Sequence, residues 1–511
     1  MLLKAFLKHE ILNLLKSKRI YLTVIMFLLL YVSVFIVRVI DYQKQINQYL
    51  ADVRQADEVM QKPTNYSHIN PRAIHQPLIF SIFNQGYKFN RVVSIEYYGP
   101  IATSITVNEE RNPLFYENNQ LDITFLVTFF LSLFILLISY DCVNGEKRTG
   151  TLRILMTYPI KRQSFVLKKI LGVFIFVAFT FTVPYVLSII CLTLIYANIL
   201  TSSFFLSAFF YWFLVLLFIF FFSLMGIFLS VCTTTPNRSL VYSLLVWILF
   251  CIVLPTSWDY LISPKLYDEK ISHLTRIYMD KQTQANNIFY KVPDDVNINL
   301  VGHLHWNNYF YSSTVWSFQY TYARHYAFQK YVYEEYFPVS REVEQAIDDV
   351  IRKRINVQDT KSFVFFFNPI VLFNDISMKI AGNHRSDYLR FLQNSREIRD
   401  DLVNLGVREG WLLDYRFFAY YADEFMLGPD EPLWERMEKL GWDAVWQEMK
   451  SLSENAEAFT FEMPVVRRYA QPNPSFGEIF NRIVMVLTMF VVSIIALWIL
   501  TWYKFMHYDV R

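Results

Sequence analysis

Cysteine is scarce in this chain. Its 511 residues include only four, Cys142, Cys191, Cys232 and Cys251, all in or beside long apolar runs. The two large polar stretches contain none, so neither can be closed by a disulfide in any compartment and both depend on packing. Charge is also sparse, at 18% of residues against 54% hydrophobic and 18% aromatic. That balance disfavours a soluble enzyme. The formal net charge of +3 indicates neither a nucleic-acid-binding surface nor an acidic disordered tail, so no nucleic-acid partner is expected.

Motifs for catalysis and metal binding are missing as well. Gly145 and Gly150 have the separation found in a phosphate-binding loop, but Thr151 and Leu152 follow where Lys and Ser or Thr are needed, and no apolar strand leads in. No cofactor is therefore expected on this chain. His9-Glu10 lacks the second His of a zinc protease helix, and there is no Gly-x-Ser-x-Gly elbow and no paired-cysteine metal site. His303, His305 and His325 fall in an aromatic-rich stretch, where ordinary packing accounts for them better than a metal does.

What the chain has in abundance is long apolar runs. Six of them, at 20–40, 121–140, 165–197, 204–232, 240–262 and 479–503, match the ~20 helical residues that cross a hydrocarbon core of ~30 Å. From Ile170 to Asn237 there is no Lys, Arg, Asp or Glu, which is too long for one span and reads as a hairpin turning at 198–203. The expected fold is an all-α polytopic membrane protein with six transmembrane helices and a mainly α-helical extracytoplasmic domain. Arg38, Asp122 and Asp141 lie near the ends of runs, where a charge reaches water. The run interiors thus lack the titratable residue that a proton- or ion-coupled carrier keeps near the midplane, and the energy source is expected elsewhere.

Basic residues set the orientation. Lys4, Lys8, Lys16, Lys18 and Arg19 precede the first span. Lys147, Arg148, Arg153, Lys161, Arg162, Lys168 and Lys169 follow the second, Arg238 lies between the fourth and fifth, and Lys504 and Arg511 lie beyond the sixth. Both termini are therefore expected in the cytoplasm. Residues 1–19 read as an interfacial amphipathic helix, with Leu2, Leu3, Phe6, Leu7, Ile11, Leu14 and Leu15 at helical spacing. Residues 141–164 then form a cytoplasmic region and 504–511 a cytoplasmic tail, while 41–120 and 263–478 lie outside.

The outer segments read as mainly helical. Ile46, Tyr49, Leu50, Val53, Val59 and Met60 carry the first helix out as a stalk until Pro63, and the stretch from Pro63 to Pro113 reads as irregular. Ser340 is a candidate cap for one helix, and another over Tyr388–Leu405 is expected to end at Gly406. Lys361–Phe367 and Ala458–Glu462 read as short strands. The two outer segments are expected to form one composite domain, because the smaller buries too little surface alone and its aromatics, Phe80 and Phe83 among them, need a partner.

One cytoplasmic stretch is the most informative. Glu146, Gly150, Thr151, Leu152, Leu155, Pro159, Lys161 and Arg162 follow the second run in an order in which Gly150 and Thr151 break and restart a helix, Leu152 and Leu155 give it an apolar edge, and Pro159 ends it. This pattern, with the N-terminal amphipathic helix and six runs, resembles the permeases of the ABC-2 type of ABC transporters. Phe366-Phe367-Asn368-Pro369, Asp375, Ala381-Gly382-Asn383-His384 and Tyr388-Leu389-Arg390-Phe391 resemble the subgroup with a large extracytoplasmic domain before the last span, related to nitrous-oxide reductase maturation permeases. The resemblance implies a permease subunit of an exporter in the bacterial plasma (inner) membrane. Its implied partners are an ABC ATPase subunit dimer carrying ATP and Mg, a second permease chain (identical or related), membrane lipids and a periplasmic partner. The eight residues would serve ATPase coupling. The alternative is a mechanotransmitting or assembly subunit that moves its outer domain without carrying cargo, and a membrane enzyme acting on lipid-linked substrates ranks behind both.

Overall fold

The computed structural model describes residues 18–61, 72–86, 92–98, 101–107, 121–155, 162–255, 269–290, 330–361, 368–408, 439–441, 444 and 476–507. Among the described residues six helices are long and apolar enough to span a membrane: Ile20–Gln55, Ile123–Arg148, Ser164–Ile195, Ser202–Cys232, Pro236–Val253 and Ile483–Met506. The first belongs to α1 (Lys18–Gln61). At ~1.5 Å per residue its 44 residues extend about 66 Å, twice a hydrocarbon core, so the stalk is continuous with the first span. The second span begins with α2 (Ile123–Phe125), passes through a π-helical turn at Leu126–Leu131 and continues as α3 (Ser132–Ser139). The short helices α4 (Asn144–Arg148) and α5 (Thr151–Leu155) follow. Then come α6 (Arg162–Ile195), α7 (Ser202–Cys232) and α8 (Pro236–Ile248), the last running into a second π-helical turn at Leu249–Val253.

Helix α7 is the centre of the bundle. It packs against α3, α6, α8 and α13 (Phe476–Met506), and its Tyr211, Val215, Phe218, Ile219 and Phe222 are buried. Gly226 permits the contact with α3: a Cβ there would lie 1.8 Å from Ser139 Oγ. The start of α6 and the end of α13 meet where Phe165 stacks on Phe505 at 5.8 Å and the Arg162 guanidinium donates to the Met506 carbonyl at 3.0 Å. This terminal end also holds α4 and α5. At the opposite, distal end Tyr196 donates to Gln43 Oε1 at 2.9 Å, joining the α6–α7 turn to the stalk.

The distal region contains structure that the sequence reading did not anticipate. Strands β1 (Arg72–Ile74), β2 (Val92–Tyr98) and β3 (Ile101–Val107) form an antiparallel sheet in that order, where an irregular segment was expected. Tyr98 pairs with Ile101, and the register of β2 and β3 shifts between Glu96 and Tyr97. The sheet packs on α12 (Arg385–Arg408). The other distal helices are α9 (Glu269–Tyr290) and α10 (Phe337–Lys361), the latter continuous with a π-helical turn at Val332–Tyr336. Ser340 therefore sits inside a helix and bonds back to the Phe337 carbonyl at 2.7 Å, so it is no cap. Likewise α12 runs past Gly406 to Arg408. Arg399, buried between α10 and α12, holds Glu344 with two hydrogen bonds of 2.7 and 2.8 Å and Asp400 at 2.9 Å.

Helix α11 (Pro369–Ala381) does not stand off in the outer domain. Its Ile370, Leu372, Phe373, Ile376 and Ile380 join the same core as the spans, and it packs on α7 and α13. The Phe373 ring lies 4.7 Å from Phe218. Phe218 is 14 residues from the terminal end of α7 at Cys232, about 21 Å along the helix and inside a ~30 Å core. The segment 368–384 thus re-enters the bundle from the distal end. A short 3₁₀ turn, Ile79–Ile82, re-enters beside it, with Phe83 5.2 Å from Tyr185 and Asn84 Nδ2 donating to Ser377 Oγ at 2.6 Å. Asn383 donates in turn to the Asn84 carbonyl at 3.1 Å, so the two outer segments meet here. Of the amphipathic helix expected over 1–19, Lys18 and Arg19 belong to α1 and the rest lies outside the described residues, as do both expected strands apart from Lys361, and His303, His305 and His325.

Candidate coupling site

Helix α3 is capped at Tyr140, and the chain turns through Asp141, Cys142 and Val143 into α4. Gly150 then adopts φ +74°, a left-handed conformation suited to glycine, and separates α4 from α5. Nothing lies within 4 Å of where its Cβ would be, so backbone geometry and not crowding requires glycine. Thr151 Oγ1 donates to the Glu146 carbonyl at 3.2 Å, and Thr149 Oγ1 lies 2.9 Å from Thr151 Oγ1, closing the elbow on itself.

The inner side of this elbow is anchored to two spans. The backbone N–H groups of Val143 and Asn144 donate to Ser230 Oγ on α7 at 3.2 and 3.3 Å. Asn144 Nδ2 donates to Thr233 Oγ1 at 2.6 Å. Glu146 pairs with Lys169 of α6, whose ammonium also lies 5.7 Å from the centre of the Phe165 ring. Lys169 is buried, so its charge is compensated by Glu146 in a site shielded from water.

The outer side carries Arg148, Thr149, Gly150, Thr151, Arg153 and Ile154, all exposed. Ile154 is 63% exposed. Of the eight residues singled out from the sequence, Gly150 and Thr151 form the break, Glu146 faces inward, and Arg162 bonds the end of α13. Leu152, expected on an exposed apolar edge, is 1% exposed and belongs to the core. The apolar residue presented outward is Ile154, two positions further on. A five-residue helix turns about 200° over two residues, which carries the second of them to the opposite face. The side chain of Leu155, and Pro159 and Lys161 altogether, lie outside the described residues.

Asn144, Ser230 and Thr233 did not stand out in the sequence as site residues, and Lys169 stood out only for its charge. Only Ser230 had a signal, as one of three small residues, Ser223, Gly226 and Ser230, spaced along one side of an otherwise apolar α7. Among the described residues no group of His, Cys, Asp and Glu is arranged to hold a metal ion.

A family model described as ABC-2 family transporter protein matches residues 5–421. Over 50 residues the chain is 46% identical to the "Probable ABC transporter permease protein NosY" of Pseudomonas aeruginosa (strain PAO1). That stretch covers 10% of this chain and 18% of the relative, so the chain matches less than a fifth of the length of that curated protein.

Proposed function

Since the chain belongs to the ABC-2 family of transporter proteins, we propose that it is the permease subunit of an ATP-driven exporter whose ATPase, a separate ABC subunit dimer carrying ATP and Mg, docks on the α4–α5 elbow. One observation carries this reading: the elbow exposes Arg148, Arg153 and Ile154 while Asn144 and Glu146 fasten its inner side to α7 and α6. A displacement applied to the outer side therefore reaches two spans at once. The role of Glu146 shifts accordingly, from a contact with the ATPase to an internal anchor. Two permease chains, identical or related, enclose the path between them, since the interior of this bundle is filled by aromatic side chains. The basic residues of the elbow support a cytoplasmic position for it and for both termini, in a bacterial plasma membrane.

Replacing Ile154 by Asp places a carboxylate in the docking contact. Leaving that charge unpaired against an apolar surface costs on the order of several kcal/mol. The expected result is a permease that inserts normally and no longer retains its ATPase on affinity purification. Retention at wild-type yield overturns the assignment. The mechanotransmitting alternative draws support from the unbroken α1, which links a span rigidly to the distal region. Reconstitution separates the two readings, because only the exporter accumulates cargo across a vesicle wall on ATP addition.

A further inference from the structure

The π-helical turn at Leu249–Val253 changes which backbone groups are paired. The Leu254 N–H donates to the Leu249 carbonyl, five residues back, whereas an α-helix would give it to Phe250. In the π register the Phe250 carbonyl would look to residue 255 for its donor. Residue 255 is proline, which has no N–H. The Phe250 carbonyl is instead served by Asn368, whose Nδ2 donates to it at 3.2 Å. Asn368 is buried, and its other side-chain atom, Oδ1, accepts the Ile370 N–H at 3.0 Å and caps α11. Both faces of one amide are thereby committed, one to the start of the re-entrant helix and one to a carbonyl that only the π register leaves without a helical donor.

The second span carries its own π-helical turn opposite this one. Trp247 Nε1 donates to the Phe129 carbonyl at 3.2 Å and to Ser132 Oγ at 3.1 Å, and Cys251 Sγ approaches the Thr128 carbonyl at 3.7 Å. The two turns are thus bonded to each other, and the second span leads directly into the elbow.

We infer that Asn368 is a positioning residue that reads the register of the fifth span: while the Leu249–Val253 turn is π-helical Asn368 holds α11 in the bundle, and conversion of that turn to α-helix returns the Phe250 carbonyl to Leu254 and releases α11. The release during a transport cycle rests on the function proposed above, and the latch itself does not. The exchange of one carbonyl between two donors needs no other chemistry.

The test uses the full-length permease in lipid nanodiscs and amide hydrogen exchange over residues 371–381. Asn368→Ser keeps a capping oxygen for α11 but is too short to reach Phe250, and Pro255→Ala supplies the N–H that competes with Asn368. Each is expected to speed exchange of the α11 amides roughly three- to tenfold, the weight of one net hydrogen bond. The double variant should be no faster than the faster single, because both act on the same bond. Unchanged α11 exchange in Pro255→Ala, or additive effects in the double variant, would overturn the latch. A second arm adds ATP and vanadate to the complex with its ATPase. Wild-type α11 exchange should then rise while that of Asn368→Ser does not rise further. If the variants behave as expected alone but nucleotide changes nothing, the latch stands and its release by the ATPase is refuted.

Discussion

Gly226 sets how closely α7 approaches α3. A Cβ at this position would meet both Ser139 Oγ and, at 2.8 Å, Ser139 Cβ. The hydroxyl can rotate, but Cβ moves only with the backbone, so Gly226→Ala must push the two helices apart. Overpacking of this kind costs about 1–3 kcal/mol. Gly226→Ala is expected to lower the melting temperature of the purified permease by a few degrees, and Ser139→Gly in the same chain to recover most of the loss. Failure of the second substitution to rescue would mean that the glycine serves something other than this contact. The residue scale is also where the sequence was least legible. Glycine on an apolar helix can be read as a packing position, but its partner 87 residues away cannot, and the same holds for Asn144 with Thr233 and for Asn368 with Phe250. Those pairs arise from the bundle and have no local signature.

Helical elements were far more legible, because burial on one side imposes a period that survives in the sequence. The apolar runs gave the spans, and the stalk ends at Gln61 close to the expected stop at Pro63. The β2–β3 hairpin was legible in principle: Val92 to Tyr98 and Ile101 to Val107 are rich in β-branched and aromatic residues on either side of Gly99-Pro100. The surrounding Pro and Asn masked it. The re-entry of α11 was hidden for a different reason, as 13 residues are too few to register as a span and the helix looks like an ordinary buried helix of an outer domain. At this scale the α10–α12 pair offers a test. Burial holds the Glu344 carboxyl above its ordinary range, and the nearby Arg399 opposes that rise. Arg399→Met removes the larger part of that opposition and leaves the weaker pull of Arg396, so the group rises further and the folded state favours the neutral acid. Stability contributed by a carboxyl raised in this way is complete below its unfolded value and is lost as pH rises through its folded value. The variant is therefore expected to be less stable than wild type at neutral pH by on the order of 3 kcal/mol, with the gap narrowing as pH falls toward the ordinary glutamate range. A gap that is independent of pH would show that Arg399 contributes by packing on Phe337, 5.5 Å from its guanidinium carbon, rather than by charge.

Across the whole molecule, the distribution of charge and the arrangement of helices make a joint demand on orientation. The Arg162–Met506 bond places the start of α6 beside the end of α13. The elbow shares that end, with Lys147, Arg148 and Arg153 on it. Positive residues in short loops tend to stay in the cytoplasm, so the orientation proposed above puts the sheet and α10 outside, at the far end of the spans from the elbow. In a chain whose four free cysteines have been replaced, a single cysteine at Ile154 is expected to react with a membrane-impermeant maleimide only after the cells are opened. Single cysteines at the exposed Gln76 and Glu342 should react in intact spheroplasts. Labelling of the Ile154 position from outside would invert the protein, leave no docking surface within reach of an ATPase, and remove the basis for coupling altogether. With the expected pattern, the coupling proposed above has a lengthwise route available: from the elbow to Ser230 of α7 and Thr233 just beyond it, along α7 to Phe218, and there onto Phe373 of the re-entrant helix.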